Sequence, residues 1–121
     1  MNRARSNLAK ARLGYEFEGV YLEDLCFDAQ QAAERALKAV LIHLGTPFPY
    51  VHDLSRLLSL IEESGIPIPE DVKEAAILTD YAVSTRYPGL SEPVSLDEYR
   101  EAMALAARVL TWAQGILGAE G

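Results

Sequence analysis

Asp80, Tyr81, Arg86 and Tyr87 bring a carboxylate, a guanidinium and two phenols into one short stretch that ends at Pro88-Gly89. An arginine set among aromatics at a helix end can grip a phosphate through its planar fork or stack on a base. It can equally pair with Asp80 and lock the loop, and the spacing leaves both readings open. The two histidines read as structural residues. His43 falls on the edge of an apolar helix stripe, and His52 directly precedes Asp53, where it can brace the start of a helix. A carboxylate-bridged di-iron bundle needs Glu-x-x-His from two helices, but the residues three before the histidines are Val40 and Pro49. With only two histidines, a zinc site would have to draw on scattered carboxylates, so no metal is expected. Cys26 lies on an apolar stripe beside Glu23 and Asp24, which would raise its pKa, and it reads as a small core hydrophobe. No glycine-rich phosphate loop, paired-cysteine zinc signature or G-x-S-x-G elbow occurs. The expectation is therefore a chain with no catalytic residues and no cofactor, in which Arg86, Tyr87, Tyr81 and Asp80 are the candidate phosphate or nucleotide contacts.

The elements that must position these residues are helices. Leu22, Leu25, Cys26, Ala29, Ala33, Ala36, Leu37, Val40, Leu41 and Leu44 follow the i, i+3, i+4, i+7 rule, with Gly45 placed to end the helix. Asp24, Asp28, Gln31 and Lys38 lie off that stripe. The alanines keep helix propensity high and allow a neighbouring helix close approach. Ser95 and Glu98 form a capping box for a last helix whose inner face is Tyr99, Ala102, Met103, Ala106, Leu110, Ala113 and Leu117. Asp53 caps a shorter helix with Leu54, Leu57, Leu58 and Ile61 inside and Gly65 as its stop. The stretch from Pro67 predicts a helix running to about Ser84, which Pro88 cannot continue. A basic segment from about Arg3 to Leu13 makes a further helix. No strand alternation, repeat or low-complexity tract appears, so the fold class is all-α: a four-helix up-and-down bundle with an additional short helix, a single domain over 1–121.

Bulk properties limit the function classes. A chain of 121 residues, 50% hydrophobic and 24% charged, can fold around its own core. The net charge of −7 disfavours broad binding to nucleic acid or anionic membrane. Arg3, Arg5, Lys10 and Arg12 all precede the first acid, Glu16, so a basic arm precedes an acidic body. That arm could touch a phosphate or an acidic partner, although a solvated helix face is the favoured reading. No apolar run is long enough to cross a bilayer, no apolar signal core follows the basic start, and a lone cysteine fits a reducing cytoplasm. The supply of apolar side chains per helical turn exceeds what one thin bundle can cover, which predicts a homodimer.

The run FDAQQAAERALKAVLIHLG, then VHDLSRLL, then a helix ending in TRYPG, resembles the HEPN domain of prokaryotes over nearly the whole chain. The resemblance implies an all-α, typically dimeric protein, often encoded beside a minimal nucleotidyltransferase with which it forms a toxin–antitoxin-like pair. Members that cut RNA carry Arg, four to six residues, then His near a helix end. Arg86 stands where that arginine would be, but Tyr87 to Pro93 contain no histidine, and His43 follows Arg35 one residue too late. Without the histidine no group is evident to handle the 2′-hydroxyl proton or the leaving oxygen. The resemblance thus implies a non-cleaving member that binds a nucleotide or a nucleotidyltransferase, with Arg86 as a phosphate contact. The alternative is a ribonuclease toxin with an atypical active site around Arg86.

Overall fold

Among the described residues of the computed structural model, which are 2–14, 22–81 and 94–118, the chain forms α-helices and one 3₁₀ segment, with no strand. In chain order these are α1 (Asn2–Gly14), α2 (Leu22–Leu44), α3 (Leu54–Glu63), the single turn α4 (Glu70–Lys73), the 3₁₀ segment Glu74–Tyr81, and α5 (Leu96–Gly118). The all-α bundle read from the sequence is the architecture observed.

α2 is the central element, packed against α1, α3, α5 and the 3₁₀ segment. Ala29, Ala32, Ala33 and Ala36 are completely buried along it, so neighbouring backbones come close where larger side chains would hold them apart. Because α2 has neighbours on several sides, its buried arc is wider than the stripe read from the sequence. Asp28, expected off that stripe, is buried with only 7% of its surface exposed, and Gln30 and Glu34 are buried as well. Cys26 is fully buried in the core, as expected of a small hydrophobe.

The helix ends follow the local chemistry. Gly45, at φ 71°, closes α2 with a Schellman pair of bonds: Thr46 N–H to the Leu41 carbonyl and Gly45 N–H to the Ile42 carbonyl, both at 3.0 Å. Gly65, at φ 95°, ends α3 in the same way. The Asp53 carboxylate accepts from Ser55 N–H at 3.0 Å and caps α3, burying Leu54, Leu57, Leu58 and Ile61 as predicted. At the start of α5, Ser95 Oγ accepts from Glu98 N–H at 3.0 Å while Glu98 Oε1 accepts from Ser95 N–H at 3.2 Å, the reciprocal capping box.

The region after Pro69 departs from expectation. In place of one α-helix running towards Ser84, a single α-turn passes into the 3₁₀ segment. Val72, Ala75 and Leu78 are its buried residues, three apart, a spacing that matches three residues per turn better than 3.6. The remainder of the predicted helix, from Ala82 onwards, lies outside the described residues.

Candidate functional site

Of the four candidate contacts read from the sequence, Arg86 and Tyr87 lie outside the described residues. Asp80 is exposed at the end of the 3₁₀ segment. Tyr81 is half-buried, packs on the core, and turns its hydroxyl towards Glu98 Oε2 at 3.5 Å, tying the segment to the capping box of α5. Asp80 and Tyr81 are thus the described members of the group. His43 is exposed on α2, which leaves it without the packing role expected of it.

A different group of polar residues converges on α2. Gln30, Glu34 and Lys38 recur every four residues and so share one face of the helix. The loop between α2 and α3 lays Phe48, Tyr50 and His52 over that face. Gln30, with no exposed surface, donates through Nε2 to Glu34 Oε1 at 3.1 Å and to the His52 carbonyl at 3.2 Å. Gln31 Nε2 in turn donates to Gln30 Oε1 at 2.8 Å. His52 Nδ1 lies 2.8 Å from Glu34 Oε1, and Lys38 Nζ donates to Glu34 Oε2 at 3.1 Å. Both the backbone and the ring of His52 are thereby held by α2. The bracing role expected of His52 is real, but it links the loop to α2, where the sequence reading saw only the start of α3.

The electrostatics follow from this arrangement. Burial pushes the Glu34 carboxyl up, and the hydrogen bonds from Gln30, His52 and Lys38, with the Lys38 charge, outweigh it and hold the group below its ordinary value. A carboxylate facing Nδ1 places the proton of the neutral imidazole on that nitrogen and leaves the lone pair on Nε2. The imidazole side chain is about half exposed, at 48%. Tyr50 is 89% exposed, its ring edge-on to that of His52 at 5.6 Å between centroids. Lys38 Nζ sits 5.2 Å from the Tyr50 centroid and 6.0 Å from that of Phe48, within cation–π range. Carboxylate, imidazole, ammonium and phenol thus meet at one edge of the bundle. No group of three or more His, Cys, Asp or Glu among the described residues is placed to hold a metal.

The Glu34–Lys38 spacing was a legible i, i+4 pair; that Glu34 is buried and meets a histidine from a later loop was not. The basic arm has partly structural work. The Arg5 guanidinium lies 2.7 Å from the Gln114 side-chain amide on α5, and Arg35 on α2 donates to Asn7 Oδ1 on α1. A shallow cavity of about 260 Å³ lies between α1 and α5 beside Arg5, lined also by Leu8, Ala107 and Leu110.

The family model of the HEPN domain matches residues 1–116. The crystal structure of an archaeal HEPN homologue is similar with a TM-score of 0.71 and 29% sequence identity, over 94% of this chain and 91% of that one. No curated protein gave a match.

Proposed function

Because the chain belongs to the HEPN family, we propose that it is a non-cleaving member that binds a nucleotide, pairs with a minimal nucleotidyltransferase in a two-gene toxin–antitoxin-like system, or does both, working as a homodimer in the cytoplasm. The observation that carries this reading is the sequence after Arg86: positions 91 to 93, where a ribonuclease histidine would fall, are Ser91, Glu92 and Pro93. None of these is an imidazole that could both take and return a proton near neutral pH. His52 precedes Arg86 in the chain, the wrong order for the Arg-x4-6-His pair. The chain is acidic, with a net charge of −7, which favours a folded partner with a basic face over free RNA as the main target. Arg86 is the phosphate or partner contact in this reading, with Tyr87, Tyr81 and Asp80 beside it in sequence. No helix among the described residues is long and apolar enough to cross a membrane.

The test has two parts. Purified protein incubated with RNA should degrade it no faster than an Arg86→Ala preparation, since the missing general acid–base group is worth roughly 10²–10⁴-fold. Cleavage abolished by Arg86→Ala would establish the atypical ribonuclease instead. Co-expression with a minimal nucleotidyltransferase encoded beside it should give a complex that survives purification and weakens with Arg86→Ala.

A further inference from the structure

The polar cluster on α2 has more than a bracing role can explain. Bracing the loop needs Gln30, Glu34 and the His52 backbone; it does not need an aromatic ring left 89% exposed beside an imidazole and an ammonium. We propose that Tyr50, His52 and Lys38 form a ribonucleotide-binding site, oriented from beneath by Glu34 and Gln30. The proposal rests on the nucleotide-binding half of the reading above and gives it a location built entirely from α2 and the loop that follows.

Each part of a ribonucleotide has a partner in this group. One side of the Tyr50 ring carries Lys38 Nζ at 5.2 Å and its exposed area is open to a base, whose π-face stacks on an aromatic side chain whatever the base identity. His52, with its proton on Nδ1 facing Glu34 at 2.8 Å, offers the Nε2 lone pair to a ribose hydroxyl. The Lys38 ammonium has three donors, of which one goes to Glu34 Oε2; the others are available to a phosphate. The positioning is prepared before any ligand arrives. Pro47 and Pro49 restrict the loop on both sides of Phe48, which packs on the core, and Gln30 clamps the His52 carbonyl. A site held in this way loses little freedom on binding.

The same chemistry could come from a free mononucleotide or from the end of an RNA strand, so the titration uses AMP, adenosine and a short oligoadenylate, followed by calorimetry. Tyr50→Ala should weaken AMP binding by about 5- to 150-fold, the range of base–aromatic stacking. Tyr50→Trp should retain it. Lys38→Met should weaken AMP while leaving adenosine nearly unchanged, because only AMP carries the phosphate. His52→Gln should weaken both. Circular dichroism of each variant reports whether the fold is kept, and Tyr50, being exposed, gives a variant whose folding is not at stake. Oligoadenylate binding more tightly than AMP would make an RNA end the source; the reverse order would make it a free nucleotide. AMP binding that is indifferent to Tyr50→Ala and Lys38→Met but lost in Arg86→Ala would overturn this site and keep the nucleotide-binding function. A wild-type protein that binds neither AMP nor oligoadenylate would remove both, while co-purification with the nucleotidyltransferase tests the remaining half independently.

Discussion

Glu34 illustrates how far a single residue can be read from sequence. Its pairing with Lys38 is visible as an i, i+4 spacing, yet that spacing describes a solvated helix face as well as a buried one. What decides between them is His52, eighteen positions away, and no local pattern announces that contact. The candidate contacts read from the sequence rest on chemical type, place at a helix end and, for Arg86, resemblance; of the two that are described, Tyr81 turns its hydroxyl to Glu98 on α5. The consequences of burying Glu34 are measurable. Glu34→Gln keeps the shape but removes the charge that Lys38 and His52 share, and should cost about 1.5–3 kcal/mol at neutral pH, the range for hydrogen bonds to a charged group. The partial exposure of Lys38 limits the loss, since its ammonium can return to water. The carboxyl is held below its ordinary value of 4.5 in the folded chain. Its contribution is therefore fully present above that pH and is lost as the pH falls through the folded-state value. Urea unfolding from neutral pH into acid should show the wild type and Glu34→Gln far apart at neutral pH, with the gap closing as the acid range is entered. A gap that widened in acid would contradict the assignment.

At the scale of elements most of the fold was legible, because helix ends are local. The Ser95–Glu98 box, the Asp53 cap and the glycine stops at Gly45 and Gly65 stand where their sequence signals put them. Ser95→Ala should destabilise the chain by about 1 kcal/mol, lowering the melting temperature by about 4 °C. The segment after Pro69 was not legible in the same way. Its acids and alanines promise an α-helix, and it is the three-residue spacing of Val72, Ala75 and Leu78 on the core that tightens it into a 3₁₀ turn. A hydrogen bond from Leu54 N–H to Thr79 Oγ1, at 3.0 Å, holds that turn to the start of α3. The alanine row of α2 is the other element-scale determinant. Ala33 is completely buried, so Ala33→Leu should cost about 1–3 kcal/mol through overpacking, whereas Ile42→Ser, at a position 69% exposed, should stay within about 0.5 kcal/mol. Thermal denaturation of the pair compares a crowded site with an open one on the same helix.

For the whole molecule, the sequence supplied the all-helical class but not the way α2 is surrounded, since the number of neighbours a helix acquires depends on the other helices. A central α2 leaves α1 and α5 as outer layers that touch each other as well as α2. Light scattering after size exclusion should give about twice the 13.3 kDa chain mass, as expected of a homodimer; a monomer at micromolar concentration would count against the dimeric form of the proposed function. The contact between α1 and α5 also has a consequence for how the chain is made. α1 leaves the ribosome first, but the surface it shares with Leu110 and Gln114 arrives only with α5, after every other described element. Nascent chains grow at about 5–20 residues per second, so α1 must wait several seconds for the helix that completes its docking. During that interval the alanine-rich faces of α2 are only partly covered. A synthesis intermediate halted before Leu96 should therefore be the form of this protein most readily captured by a chaperone, and release of α5 from the exit tunnel the event that ends its susceptibility.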